Sequence, residues 1–415
     1  MGPNSAGHDV AVVGAGVVGL AIAWRAQQRG LSTLVVEKAR AGAGASGVAA
    51  GMLAPVTEAD FGEEALLALN LAGLERWPAF AAELSERSGL DTGYRRSGAL
   101  AVAADRDDAQ ELRRLAELQR SLGLGSRWLT GRECRALEPG LSPHVPGGIE
   151  APDEGHVDPA ATVEALRTGF LAEGGELLEG AAVKGLELGS GAARRTALVL
   201  DDGRTVRAEH TVVAAGAWSA DLSGLGTGAA PPVRPVKGQI LSLRVPEGHP
   251  PPAERLIRTP RCYVVARTDG RVVIGATTEE RGFDVRVTAE GVFRLLEAAR
   301  EVLPVIDELE LVSARAGLRR GTPDNGAAVG RGAEDGVVWA TGHGRNGVLL
   351  APITAEAVVA LVSGEEQPDA VAPFGPDRFA APGEAVPTPS AAEAPNSRAL
   401  ADARSPARAA AAVHE

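Results

Sequence analysis

Three glycines and one carboxylate near the start of the chain have the spacing of a diphosphate-binding turn. Gly14, Gly16 and Gly19 stand in a GxGxxG pattern, and Glu37 closes the unit that follows. Gly14 permits a tight turn, Gly16 lets backbone amides approach phosphate oxygens, and Gly19 lets a helix lie close on a strand. The free N–H groups of that helix then meet an anion at the positive end of the helix dipole. Glu37 can accept hydrogen bonds from an adenosine ribose, which favours FAD or NAD over a phosphorylated ribose.

These residues need a strand, a helix and a second strand to position them, and the pattern supplies all three. Residues 10–13 (VAVV) form an apolar run suited to a strand buried on both faces. Leu20, Ala21, Trp24 and Ala26 recur at roughly helical spacing, and Gly30 is a helix stop. Residues 33–36 (TLVV) make the second strand, which ends on Glu37. The small-residue stretch 41–55 (AGAGASGVAAGMLAP) predicts backbone passing close to something bulky. Ser46 can donate to a phosphate there, and Ala50, Gly51 and Met52 can lie flat against a ring system.

At 415 residues the chain is long enough for two domains and a large core. A net charge of −12 disfavours nucleic acid and anionic membrane as partners. Lys38, Lys184 and Lys237 are the only lysines, against abundant arginine, alanine, glycine and proline, so a single arginine carries no signal without context. Two distant cysteines, Cys134 and Cys262, form neither a disulfide framework nor a metal site, as expected for a reducing cytoplasm. Residues 10–24 are apolar but fall short of the ~20 residues of a membrane span, and no basic segment precedes them. Neither a transmembrane helix nor a signal peptide is expected.

Further along, apolar residues at helical spacing predict helices over 59–84 and 107–122, with a strand over 97–103 between them. Residues 128–144 form a polar, proline-containing connection and 146–158 a turn-rich segment. A helix then covers 159–173. Asp158 before Pro159 is its N-cap, with proline at the first helical position, a simpler account than a catalytic pairing with His156. Strands over 176–188 and 197–206 turn at the DDG of 201–203. Val183 lies where a backbone N–H and C=O could meet an adenine edge. The buried strand in 211–219 (TVVAAGAWS) closes on Gly216, which suits close approach of a cofactor. From Val233 the pattern becomes alternating strands joined by hairpins, with a helix over 287–302 on the flank. A last buried strand (336–340) and a helix (350–363) with Pro352 in its first turn follow. A parallel nucleotide-binding sheet interrupted by an antiparallel sheet predicts an α/β fold of two interleaved domains. From about Phe379 the composition predicts disorder.

Several motifs occur in order after the glycine-rich unit: VAAGMLAP (48–55), PVKGQ (235–239), CYVVAR (262–267), GATTEERGFD (275–284), AGLRRGTPD (316–324) and GHGRNGVLLAP (342–352). As a set they resemble the D-amino-acid oxidase superfamily of flavoproteins, and within it the glycine oxidase (ThiO) family of the thiamine pathway. The resemblance covers roughly residues 9–379. It implies a Rossmann-like FAD-binding domain built from residues 1–85, 146–226 and 317–378. Residues 86–145 and 227–316 would form an antiparallel-sheet α+β substrate domain, leaving 379–415 as a tail. It also implies non-covalent FAD and oxidative deamination of glycine, sarcosine or D-alanine to the oxo acid, ammonia and hydrogen peroxide. The glycine imine would feed thiazole synthesis. The partners would be a small amino acid and O2, with no nucleic acid and no membrane, in a homo-oligomer (dimer or tetramer).

Carried over by position, Val17, Val18, Glu37 and Lys38 hold the adenosine and diphosphate end. Ala45, Ser46, Ala50, Gly51 and Met52 form the second cofactor loop, and Val183 meets the adenine edge. His343, Gly344, Arg345, Asn346, Gly347, Val348 and Leu349 wrap the isoalloxazine, and the helix after them points its N-terminus at the flavin N1–C2=O edge. Arg319 is the carboxylate-binding arginine, Arg345 a second arginine beside the substrate, and Tyr263 a lid over the carboxylate. An arginine fork matches a carboxylate with two parallel hydrogen bonds. No general acid or base and no metal is expected, because hydride passes from Cα to the flavin.

Two positions depart from the family pattern. Arg320 stands where relatives commonly have proline, and Gly344 where an aromatic is frequent, which should enlarge the pocket mouth. Strand alternation points Arg319 and Arg320 to opposite faces, so that only one reaches the flavin. The alternatives are a sarcosine oxidase or a D-amino-acid dehydrogenase of the same superfamily, or a non-catalytic flavin-binding subunit. No cysteine lies near 316–324 to tether the flavin.

Overall fold

The computed structural model describes residues 7–189, 195–224 and 230–379. The tail expected to be disordered lies outside the described residues beyond Phe379. The chain opens with β1 (His8–Val13), α1 (Val17–Gln28) and β2 (Thr33–Glu37). β1 runs parallel to β2 on one side and to the strand Thr205–Val213 on the other. Val10, Ala11 and Val12 are completely buried, which is why this strand is apolar without alternation. The first sheet runs Ala328–Arg331, Val337–Thr341, Thr205–Val213, β1, β2, Glu176–Glu179. A hairpin of Thr196–Leu200 and Val183–Glu187 hangs off Thr205–Val213.

α1 packs against the helices Pro159–Ala172 and Ala351–Val362. Its Trp24 is fully buried and meets Phe80 edge-on at 5.5 Å. Five strands of this sheet (Glu176–Glu179, β2, β1, Thr205–Val213 and Val337–Thr341) are parallel and end on one side, the edge where open α/β sheets bind ligands.

The second sheet runs Glu310–Gly321, Arg234–Arg244, Arg271–Gly275, Tyr263–Ala266, Leu256–Arg258, Ala99–Val102, Gly147–Ala151, Arg127–Thr130. Its pairings are antiparallel except between Leu256–Arg258 and Ala99–Val102. One face buries Leu241, Leu243, Val272 and Ile274 under the helix Ala289–Val302. The other face, with Ile240, Val265, Val273 and Tyr263, packs on Val48, Ala50, Met52 and Ala54. The small-residue stretch is therefore laid against the second sheet, between it and the dinucleotide turn.

Two segments differ from the sequence-based expectation. Residues read as a polar connection form the strand Arg127–Thr130 and the helix Gly131–Leu137. A reciprocal Thr130/Glu133 capping box starts that helix, a local T-x-x-E signal outweighed by the surrounding polarity. The turn-rich segment contains the central strand Gly147–Ala151. Its glycines serve packing: a Cβ on Gly147 would lie 2.6 Å from the Trp128 ring, and one on Gly148 would lie 2.5 Å from Ala101 O. The second helix, Glu64–Ser88, starts later than expected and ends on Gly89 in the left-handed region (φ 70°). Asp158 caps Pro159–Ala172 as expected, accepting from Ala160 N at 2.9 Å and Ala161 N at 3.3 Å. Among the described residues no helix is long and apolar enough to cross a membrane.

Candidate functional site

The glycines of the first turn divide their work as their spacing predicts. A Cβ on Gly19 would sit 2.0 Å from Gly14 O, so this glycine sets the closeness of α1 to the turn. A Cβ on Gly14, itself at φ +106°, would meet Ala214 O at 2.6 Å. Gly16 meets nothing nearer than Ser46 Oγ at 3.4 Å, so its outer side is open. Ser46 Oγ accepts from Val17 N at 3.0 Å, which leaves its own proton for a phosphate oxygen. Glu37 pins the turn: one carboxylate oxygen accepts from Ala15 N at 2.9 Å and the other from Ala39 N at 3.0 Å. Ala181 N donates to Glu37 O at 3.0 Å, which brings the strand beginning at Val183 to the adenosine end. Lys38 Nζ lies 3.1 Å from the centroid of the Trp218 ring, two residues past Gly216.

The small-residue stretch is partly a packing requirement of the chain itself. A Cβ on Gly51 (φ +78°) would come within 2.1 Å of Val157 O. Arg267, buried and unforeseen, donates to Ala50 O and Val157 O at 2.8 Å each and so clamps both sides of this loop. Ser46 and Ala50 are buried, while Ala45 and Met52 are half-buried, the profile of a loop with one face toward a ligand. His156 is buried beside it with its pKa pushed down to about 4 by burial, so it stays neutral and structural.

The loop after the strand Val337–Thr341 is held by its own backbone. Asn346 N donates to His343 O, and Leu350 N to Asn346 O, both at 2.9 Å. Trp77 Nε1 donates to Leu349 O at 3.0 Å. Gly344 takes φ +54°, and Val348 and Leu349 are buried. His343 Nε2 pairs with Thr354 Oγ1 at 3.0 Å. Burial, and then the Arg320 charge, push its pKa down to about 3, so it is a neutral loop residue rather than a base. The helix Ala351–Val362 starts from this loop with Pro352 in its first turn.

The two adjacent arginines diverge, as strand alternation requires. Arg319 pairs opposite Val236 in the ladder, and its Nη1 donates to Thr277 O at 3.0 Å. Its guanidinium fills the space above Gly238, where a Cβ would lie 2.7 Å from either Nη. The Tyr263 hydroxyl lies over Gly275, and its phenol is raised by burial against the opposing pull of Arg319. Arg319 and Tyr263 thus meet side chain to side chain on the second sheet. Arg320 turns the other way and is not discharged to solvent. It is 8% exposed and lies against Gly216, because Glu310–Gly321, still paired with Arg234–Arg244 to its end, packs there on the short helical turn Gly216–Asp221 that follows Thr205–Val213.

Arg345 comes to the same region but already has partners. It is 3.1 Å from Glu63 and 3.7 Å from Glu58, and it donates to Glu58 O at 3.2 Å. Sequence reasoning missed both acids. It also missed Glu154, a fully buried carboxylate that accepts from Val56 N, from Thr57 N at 2.9 Å and from Thr57 Oγ1 at 2.7 Å. Burial raises its pKa to about 7. No local pattern marks it, since its partners lie about a hundred residues away in sequence. Among the described residues no cluster of three or more His, Cys, Asp or Glu could hold a metal.

An open glycine turn at a helix N-terminus, a hydroxyl proton at Ser46, an acid at the end of β2 and an apolar wall of Val48, Ala50 and Met52 fit a flavin dinucleotide. Residues 9–361 match the family described as FAD dependent oxidoreductase (DAO). The chain belongs to this family. The oxidoreductase is 35% identical over 370 residues to the glycine oxidase of Geobacillus kaustophilus, covering 88% of this chain and 96% of that protein. The crystal structure described as glycine oxidase from that organism superposes with a TM-score of 0.83 over 89% of this chain and 98% of that one. The bifunctional protein ThiO/ThiG of Synechocystis sp. is 34% identical over 375 residues, covering 89% of this chain. The oxidoreductase spans only 54% of that longer relative. FAD is its cofactor, as the family and the turn geometry both require.

Proposed function

We propose that the protein oxidises glycine and other small amines, sarcosine and D-alanine among them. The products are the oxo acid, hydrogen peroxide and ammonia (methylamine in the case of sarcosine), and the glycine imine supplies thiazole synthesis. The observation that carries this reading is the convergence of Arg319 and Tyr263 on the second sheet, beside the loop wall of Val48, Ala50 and Met52. FAD, when bound, supplies the acceptor for the hydride from the substrate's Cα and the route of the electron pair to oxygen. The chain's own residues orient the substrate. Arg319 takes the carboxylate with its fork, and the Tyr263 hydroxyl closes over it. In a partly water-excluded pocket such a charge-assisted pair is stronger than at the surface.

Arg345 has a different part. With Glu58 and Glu63 on either side it braces the 58–63 segment against the loop 343–349, and its charge is already balanced. Neutral His343 and the lack of a nearby free base mean that the amine is oxidised in its uncharged form. The residues carried over for the cofactor (Val17, Val18, Lys38, Ala45, Gly51, Val183 and the loop 343–349 in particular) hold FAD in this reading. The two sheets are then the cores of two interleaved domains. The same reading makes the enzyme a cytoplasmic homo-oligomer that takes a small amino acid and O2. Two free, buried cysteines accord with a reducing compartment.

The test is direct. The purified protein should carry a yellow flavin released by acid, and should form peroxide with at least one of glycine, sarcosine and D-alanine. Absence of peroxide with all three overturns the oxidase reading, and reduction of an artificial electron carrier instead would make it a dehydrogenase.

A further inference from the structure

Among the described residues Arg320 makes no side-chain hydrogen bond and no ion pair, although it is 8% exposed. Elsewhere, Arg234 Nε and Arg267 Nε are fully buried without a hydrogen bond, whereas each Arg320 nitrogen keeps some accessible surface for a ligand. Burial alone acts on its charge: no carboxylate lies close enough to perturb it, and its pKa falls to about 10. A buried cation without an anion is costly, and such groups in native proteins have a partner.

The place of the head says which partner. A Cβ on Gly216 would lie 3.5 Å from Arg320 Cζ. Gly216 sits in the middle of the segment 214–218. At one end of that segment Ala214 O covers Gly14, the first glycine of the turn, and at the other Trp218 stacks on Lys38. This segment therefore runs along the diphosphate and adenosine half of the site. Arg319, on the opposite face of the same strand, serves the pocket of Tyr263.

We propose that Arg320 is the cation that neutralises the diphosphate of the bound dinucleotide. It supplements the helix dipole of α1, which offers only about half a charge to the anion. The proposal rests on the assignment of FAD as cofactor and goes beyond it in naming a charge partner. His343 sits within reach of the same charge and must remain neutral beside it, as its lowered pKa indicates.

The experiment compares wild type with Arg320→Met, Arg320→Lys and Arg320→Pro, using full-length holoenzyme and its apoprotein. The probes are FAD, ADP (diphosphate without the flavin ring) and riboflavin (ring without the diphosphate). Arg320→Met should weaken FAD and ADP binding by about 10- to 100-fold, as for loss of one member of a buried charge pair. Riboflavin affinity should not change. Arg320→Lys should retain most of the wild-type affinity. The apoprotein of Arg320→Met should melt higher than wild type, since an unpaired cation is gone, yet gain less from added FAD. Arg320→Pro guards against a variant-specific folding defect and should behave like Arg320→Met. Unchanged ADP affinity in both neutral variants overturns the proposal, and an equal loss for riboflavin moves the charge to the ring. Failure of wild type itself to bind FAD would instead overturn the cofactor assignment.

Discussion

Replacing Arg319 by alanine tests the substrate site most sharply. The guanidinium is half-buried, is anchored through Nη1 to Thr277 O at 3.0 Å, and has the second sheet's glycine at 238 beneath it. Truncating one member of a buried, hydrogen-bonded charge pair costs roughly 2–5 kcal/mol. Partial exposure places Arg319 toward the lower part of that range, about 2–4 kcal/mol, once solvent screening is allowed for. At 1.4 kcal/mol per decade this is a loss of about 30- to 1000-fold in kcat/KM for glycine. The flavin should remain bound, because Arg319 touches the Tyr263 pocket and not the diphosphate turn. Arg319→Lys should recover part of the loss by keeping charge without the fork. The assay is initial-rate peroxide formation over a range of glycine concentrations, with the flavin spectrum recorded for each variant. A variant with full flavin content and kcat/KM within about threefold of wild type would refute the reasoning, because a lost bidentate contact cannot be that small.

Arg345→Ala should cost less than Arg319→Ala, within about tenfold in kcat/KM, because Glu58 and Glu63 already answer its charge; equal losses would make Arg345 a second carboxylate ligand. Glu154 has its folded pKa raised to about 7 against an ordinary 4.5, so the folded state holds its proton more tightly than the unfolded one. Stability should then be full at acid pH and fall as pH rises between about 4.5 and 7, by at most about 3 kcal/mol. Glu154→Gln, which can keep the contacts to Val56 N and Thr57 N, should flatten the melting temperature across that window; a slope equal to that of wild type would contradict this. Gly19→Ala places a Cβ 2.0 Å from Gly14 O and should lower stability by about 1–3 kcal/mol with loss of flavin, read by thermal melting and the absorbance ratio.

The first forty residues were legible because their signals are local. A glycine turn, a strand buried on both faces and an acid at a strand end each depend on neighbours in sequence. The cap at Asp158 and the hairpin at 201–203 were readable for the same reason. The segment 127–151 was not, since Gly147 and Gly148 look like turn residues and reveal their strand only beside Trp128 and Ala101 O. Glu154, Glu58 and Arg267 were invisible in sequence: each acts across long loops, with partners up to 287 residues away. Alternation foretold that Arg319 and Arg320 diverge. It did not foretell that Arg320 is buried against Gly216, because sequence cannot show which distant segment packs on a strand's other face.

The strand Glu310–Gly321 carries both arginines side by side. Neighbouring Cα atoms are held about 3.8 Å apart by the peptide itself. The two guanidinium anchors, one proposed for the amino acid and one for the dinucleotide, are therefore spaced by covalent geometry and not by docking of mobile parts. Selectivity among amines can then drift through replacements at the rim, at Gly344 or along 58–63, without disturbing how donor and acceptor face each other. An enzyme built on such a ruler can change its diet while keeping its grip.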